Sequence, residues 1–439
     1  MNRVWTAARG WRCGAIAAGL LSAGLACAQS AGEQAFEGAR SWTVQIRASV
    51  SQPFIEDQLG SHHGAGLLVD SRRGWVLTNA HVATHSHATL ALAFVAGETV
   101  RAERLYVDPH LDLAVLRFDP QALPAGAVTP ELECDTLPSV GHPVGAFGHP
   151  WGFRFTGTRG ITSAVTSRLG ATMLQTDAPI NAGNSGGPLI SLDTGRVVGV
   201  NAAKIASEEV EGLSFAVPMP YACTILRLLQ QGRDPAPPAA LVDFAIDEHG
   251  DQTLTVARTR LPPGTLDLRV GDEVQGVAGS GGGAATPSDL FDALRGHLGA
   301  MALSVRRNGE LLTISGSWPK PSAIVGRSGL SVSGALFAEA ESLVRGHLVG
   351  DYALMVHHVA PGSESEVREV SPYDVLVSAD GAPVPSLEAL AAASLRARAA
   401  QRPLQLILLR FAGEDAEQLF EFQLRALPVD EVSWARSVP

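Results

Sequence analysis

The stretch Gly183-Asn184-Ser185-Gly186-Gly187-Pro188-Leu189 decides how this sequence is read. A serine set between glycines sits where the backbone turns sharply and another chain can approach closely. Such a string also makes ordinary turns, so its weight comes from two partners upstream. Thr78-Asn79-Ala80-His81-Val82 places a histidine directly after an apolar run, and Leu111-Asp112-Leu113-Ala114-Val115-Leu116 places an acid just before another. A hydroxyl is a weak nucleophile until a neighbouring base takes its proton. An imidazole does so near neutral pH, and a carboxylate on its other ring nitrogen fixes the tautomer. Asp108 competes with Asp112 for that third place, but Asp108-Pro109 reads as a turn.

Around these residues the sequence is strand-rich from about residue 41 to residue 229. Short apolar runs are separated by Gly, Pro, Asp or Asn, the pattern of antiparallel barrels or sandwiches. Residues 221–231 carry a helical period that closes the segment 29–231. Prolines 235, 237 and 238 mark a linker. Two smaller segments follow, 236–320 and 321–428, each reading as strands, a helix, then strands. Their helices are expected at 288–298 and 387–400, and the shared order suggests a divergent tandem repeat.

Composition narrows the function classes. The 439 residues carry a net charge of −11 with 46% hydrophobic residues, which fits globular domains with substantial cores. An acidic balance argues against a nucleic-acid partner, whose phosphates need clustered Lys and Arg. Residues 1–28 read as a signal peptide: Arg3, Arg9 and Arg12 precede an apolar run, and Ala26-Cys27-Ala28 is a small-x-small cleavage site. Removing these three cations takes the net charge from −11 to −14. No later run is long and apolar enough for a stable membrane span. Of the four cysteines, Cys134 and Cys223 remain after cleavage. Export permits a bond between them, but two separate buried residues are the expectation adopted. His62, His63, His85 and His87 lack a metal-ligand spacing and read as surface loop residues. No metal or cofactor is expected.

These segments together resemble the HtrA/Deg family of exported serine proteases. The match runs through Gly64-Ala65-Gly66, the His81 and Asp112 segments, Gly148-His149-Pro150-Trp151-Gly152, Gln175-Thr176-Asp177-Ala178 and the Ser185 string. Gly199-Val200-Asn201 and Phe215-Ala216-Val217-Pro218 complete it. The resemblance implies a mainly β chain: a double six-stranded antiparallel β-barrel of chymotrypsin-like type, followed by two small α+β PDZ-like domains. It implies a periplasmic endopeptidase acting on unfolded or damaged polypeptides, assembled as a trimer-based homo-oligomer. Ser185 would attack, His81 serve as base and Asp112 orient it. Gly183, Asn184 and Ser185 would form the oxyanion hole, and Gly212, Leu213 and Ser214 the substrate pocket, small and apolar because of Leu213. Asn184 stands where zymogen-activated relatives carry an aspartate, so activation by pairing with a new N-terminus is not expected. Pro179 offers no acid for a Lys or Arg side chain.

The PDZ-like segments depart from their pattern. Arg269-Val270-Gly271-Asp272 resembles the usual strand entry in the first. In the second, Gly329-Leu330-Ser331-Val332 is a candidate carboxylate-binding loop, while Ser371-Pro372-Tyr373-Asp374 replaces the Gly-Asp pair. Both peptide binding and a purely structural role stay open. Two other classes compete with the enzyme reading: a holding protein with vestigial catalysis, which the filled triad disfavours, and an esterase, whose serine would sit in Gly-x-Ser-x-Gly.

Overall fold

The computed structural model describes residues 31–95, 97–149, 155–167, 170–202, 213–279, 283–297, 299–340, 352–412 and 419–435. Six strands, β1 (Thr43–Val50), β2 (Gly60–Asp70), β3 (Trp75–Thr78), β4 (Ala88–Phe94), β5 (Thr99–Asp108) and β6 (Leu113–Phe118), close an antiparallel barrel in the order β1-β2-β3-β6-β5-β4. A second barrel, in the order β10-β11-β12-β9-β8-β7, is formed by β7 (Pro143–Gly148), β8 (Thr156–Thr166), β9 (Met173–Thr176), β10 (Pro188–Ser191), β11 (Val197–Ala202) and β12 (Ser214–Pro218). The expected double barrel is therefore present.

Period-two patterning builds the walls. In β1, Val44, Ile46 and Ala48 point into the barrel while Arg47 faces solvent. Gly66 lets β2 bend onto its neighbours: a Cβ there would meet Val76 at 2.7 Å and Ile46 at 2.9 Å. The second barrel closes over Val144, Ala146, Leu174, Leu189, Val198 and Ala216. Three helices belong to this half: α1 (Ala31–Ala39), the single turn α2 (Ala80–Ala83) and α3 (Met219–Gln230), which the helical period at 221–231 anticipates.

One expectation is overturned here. Cys134 and Cys223 are joined by a disulfide, with Cα atoms 5.7 Å apart across a sequence separation of 89. The bond forms because α3 packs back beside the segment that links the two barrels. That proximity is tertiary and leaves no local trace.

Beyond the barrels lies a five-stranded sheet of β13 (Val242–Ile246), β14 (Gln252–Thr259), β15 (Glu273–Val277), β16 (Met301–Arg307) and β17 (Glu310–Gly316), in sequential order. Its helix α4 (Pro287–Leu294) opens with a capping box between Thr286 and Asp289. The helix stops short of the expected 298: Arg295 takes ψ 132° and Gly296 φ 74°, both outside the helical region. The last sheet contains β18 (Gly329–Val332), β19 (Ala335–Glu339), β20 (Leu354–Val359), β21 (Val375–Ala379), β22 (Ala382–Pro383), β23 (Leu404–Ala412), β24 (Leu419–Leu427) and β25 (Val432–Ala435). Its helices are α5 (Glu364–Val367) and α6 (Leu387–Ala399). Gly329-Leu330-Ser331-Val332, read from sequence as a loop, is strand β18, paired with β19 on one side and β25 on the other.

Both outer sheets are anchored to the barrels. Arg295, just past α4, pairs with Asp108 at the end of β5, both essentially inaccessible to water. Arg295 also donates to the Pro235 carbonyl at 2.6 Å. Phe54, from the loop between β1 and β2, is 1% exposed and packs with Leu336, Ala338 and Ala435 of the last sheet. The Arg327 guanidinium lies 4.4 Å from the Phe54 ring centroid and pairs with Glu56 at 2.6 Å.

Candidate active site

His81 rides on α2, immediately after β3. Its neighbours fix this turn: the Thr78 hydroxyl donates to the Ala65 carbonyl at 2.7 Å, and the Asn79 amide donates to the Asp112 carbonyl at 2.9 Å. Asp112 lies in the turn between β5 and β6 with φ 52°, a left-handed conformation uncommon for a residue with a side chain. Its Oδ2 lies 2.7 Å from Nδ1 of His81, and its Oδ1 accepts the His81 backbone N–H at 3.0 Å. The competing acid does something else. Asp108 Oδ1 accepts the backbone N–H groups of His110 and Leu111, each at 3.0 Å, and its other oxygen faces Arg295.

Ser185 sits where the two barrels meet. Its carbonyl accepts the Ala65 N–H of β2 at 2.8 Å, which stitches the serine turn to the first barrel. Gly186 donates to Asn201, and Asn201 donates back to Gly187, each at 2.8 Å. The Asn201 side-chain amide reaches the carbonyls of Phe147 and Pro188 at 3.2 and 3.0 Å. Gly186 has φ 82°, and a Cβ there would collide with the Thr78 hydroxyl and the Ala65 carbonyl. No other residue type fits this turn without moving both barrels.

The N–H of Asn184 donates to the Asn181 carbonyl at 2.9 Å. Those of Gly183 and Ser185 have no acceptor among the described residues. Asn184 itself is buried, and its side-chain oxygen has no hydrogen-bond partner among the described residues. His81 and Ser185 open onto one cleft of about 460 Å³, also lined by His62, His63, Ile180 and Gly183. No hydrogen bond joins His81 to Ser185 within that cleft. Catalytic pairs often tighten only when substrate is bound. Leu213 packs half-buried against the core, and the Ser214 hydroxyl accepts the Ile180 N–H at 3.2 Å. Gly212 lies outside the described residues, as does the Pro150-Trp151-Gly152 segment.

A second carboxylate, Asp57, ties down the chain shortly after the His81 turn. Asp57 accepts the backbone N–H groups of His85 and Ser86 at 2.8 and 2.6 Å and the Ser86 hydroxyl at 2.5 Å. Burial works to raise its pKa, but the hydrogen bonds from His85 and Ser86 outweigh it and hold the carboxyl below its usual range. His85 is therefore a tethered, largely covered residue and not the surface histidine expected from sequence. His87 is half-covered as well, its ring 5.7 Å from that of Phe54. Among the described residues no group of three or more His, Cys, Asp or Glu side chains is arranged to hold a metal ion. Asn79, Asn201 and Asp57 are supports that motif reading misses as functional. Asn79 and Asn201 lie within segments that carry the resemblance, while Asp57, in the loop between β1 and β2, leaves no signal of its own.

Comparison with known proteins places this geometry. A family model described as a trypsin-like peptidase domain matches residues 64–200. The chain is 30% identical over 278 residues to a probable periplasmic serine endoprotease DegP-like of Halomonas elongata, a match covering 58% of this chain and 56% of that protein. It is 29% identical over 303 residues to serine protease HTRA1 of Xenopus tropicalis, covering 62% and 63% of the two. The chain thus spans less than two thirds of the length of these curated relatives. Among solved structures it is similar to the HtrA-type protease AlgW with tripeptide, at a TM-score of 0.51 and 25% identity over 66% of this chain and 97% of that one.

Proposed function

We propose that the chain is a member of the HtrA/Deg family of serine proteases, to which it is similar, and that it is a serine endopeptidase acting on unfolded or damaged polypeptides. One observation carries the reading. The Asp112 carboxylate grips both the backbone and Nδ1 of His81, on the wall of the cleft that Ser185 also lines.

In this reading the Ser185 Oγ attacks the scissile carbonyl while His81 Nε2 takes its proton. Asp112 keeps the proton of the neutral ring on Nδ1 and stabilises the imidazolium that forms. The unspent N–H groups of Gly183 and Ser185 receive the negative charge of the tetrahedral intermediate, each donor contributing about 2.7–4 kcal/mol. His81 then gives its proton to the leaving amine, and water repeats the cycle on the acyl-enzyme. Leu213 and Ser214 are the described residues we assign to a small apolar pocket for the residue before the cut. Extended chain is the substrate we assign, a form whose free backbone N–H and C=O groups can bond to a cleft wall.

Export to the periplasm is the location we assign. It is supported by the signal-peptide pattern of residues 1–28, by the periplasmic designation of the Halomonas relative and by a disulfide, which persists in oxidising compartments. The outer sheets, as PDZ-like modules at 236–320 and 321–428, tether substrate or build a trimer-based homo-oligomer. The test is labelling of purified protein by a fluorophosphonate, followed by casein digestion. The wild type should label and digest, and Ser185→Ala should do neither. Digestion that survives Ser185→Ala sinks the assignment. Loss of substrate aggregation with no digestion by either protein would favour the holding reading instead.

A further inference from the structure

The last sheet carries a feature that the catalytic reading does not use. A peptide added to a sheet needs an open strand edge, with a helix or loop beside it to receive alternate side chains. The edge of β18 has that form. Helix α6 packs against it and presents the small buried residues Ala393, Ser394 and Ala397. That edge is already filled by β25 of the same chain.

The register is antiparallel: Gly329 faces Ala435, Leu330 faces Trp434, Ser331 faces Ser433 and Val332 faces Val432. Approach to the edge is also held. The Ser333 N–H donates to the Glu431 carbonyl at 2.9 Å, its hydroxyl donates to the Pro428 carbonyl at 2.8 Å, and the same hydroxyl accepts the Asp430 N–H at 3.1 Å. Antiparallel alternation puts the next bonded pair at Ser331 and Ser433. Val429 and Val432 lie half-buried against the core that contains Leu330, Val332 and Leu390.

The occupant is nevertheless short, and its apolar hold is confined to Val432 and to Ala435, which packs with Phe54. Strand β25 has four residues and terminates the sheet. Only Ala435 among them is buried, while Ser433 is partly exposed and Trp434 is 36% exposed. A short edge strand with little apolar burial opens at small cost while the sheet behind it stays folded. Residues 428–431 alone join β24 to β25, the two end strands of the sheet order.

We infer that Val432–Ala435 is a built-in occupant of the strand-accepting edge of β18, and that this module takes an extended segment of another polypeptide only by exchanging it for β25. The partner that fits is an unfolded chain running antiparallel to β18, with an apolar β-branched residue where Val432 now packs. A tethered competitor acts at an effective concentration of order millimolar, so only a well-matched or abundant strand displaces it. The proposal stands apart from the hydrolytic assignment.

The test uses the full chain carrying Ser185→Ala, so that no probe is cut, and a fluorescein-labelled synthetic peptide with the sequence of residues 428–435, read by anisotropy. Adding Ser433→Pro removes an N–H from the β18–β25 ladder and leaves β18 intact. Binding at least about tenfold tighter than in the parent is expected. Equal affinity in the two chains, or no binding by either, overturns the proposal. Hydrogen exchange on the parent gives a reading that a folding defect in the proline variant cannot disturb. Saturating peptide should strip protection from the amides of 432–435 while those of 329–332 stay protected. Retained protection at 432–435 with peptide bound places the peptide elsewhere and overturns the proposal equally. Neither readout asks for catalysis, so the two assignments fail separately.

Discussion

Both oxygens of the Asp112 carboxylate are spent on one residue: Oδ2 meets His81 Nδ1 at 2.7 Å, and Oδ1 accepts the His81 backbone N–H at 3.0 Å. The carboxylate thus fixes the ring and the chain that carries it together. Asp112 also holds a left-handed backbone, which asparagine tolerates better than most residues. Asp112→Asn should therefore keep the fold. Its amide would turn an N–H toward Nδ1 and force the proton onto Nε2, leaving no base for Ser185. The expected result is a kcat lower by roughly 10⁴-fold at an unchanged melting temperature. Near-parental turnover would show that Asp112 does not serve His81.

The Asp108–Arg295 pair joins the first barrel to the five-stranded sheet, with the Arg295 side chain 1% and the Asp108 side chain 0% exposed. Arg295→Ala leaves a buried carboxylate without its counter-ion, a loss typically of about 3–5 kcal/mol. Pairing it with Asp108→Asn should recover part of that, because the Asp108 charge is then no longer stranded, while Asp292 still lacks Arg295. Chemical denaturation of the single and double variants checks both statements. Because Asp108 also holds the N–H groups of His110 and Leu111, the single variant should lower kcat as well.

Acid should loosen the seat of Phe54. His357 packs against that ring, and burial, with Arg327 nearby, pushes its pKa down to about 4. Its Nδ1 accepts the Ile55 N–H at 3.2 Å, so the ring is needed neutral. A depressed histidine contributes stability in full above the unfolded value of 6.5 and loses it as pH falls toward 4. The difference in unfolding free energy between parent and His357→Gln should shift by on the order of 3 kcal/mol across that window. A flat difference curve would remove His357 from the seat.

Asp292 titrates in the opposite sense. Burial pushes its pKa up to about 6 against the opposing pull of Arg295 and the Thr224 hydroxyl. A raised carboxyl contributes fully below its unfolded value of 3.8, and that contribution is lost as pH rises through 6. Asp292→Asn should match the parent near pH 4 and exceed it above about pH 7, by on the order of 3 kcal/mol. Thermal melts of both proteins across that range read the sign directly.

Much of this was legible before any coordinates. The barrel strands announce themselves by alternation, and the spacing of His81, Asp112 and Ser185 follows their placement at strand ends. Asp112 was separable from Asp108 because the run Asp112-Leu113-Ala114-Val115-Leu116 carries the family resemblance while Asp108-Pro109 reads as a turn, and Asp108 does cap that turn. What escaped is what long-range packing decides. The Cys134–Cys223 bond depends on where α3 comes to rest. His85 looks like a loop residue until Asp57, far off in sequence, closes over it. Strand β25 is too short to carry a period, and only its pairing with β18 gives it meaning.

The Cys134–Cys223 bond has a topological result. It closes a covalent ring that contains the whole second barrel and Ser185. A single nick anywhere inside that ring separates no fragment. Such a nicked protein would migrate as one species on a gel until a thiol reductant was added, and its two pieces would appear only then.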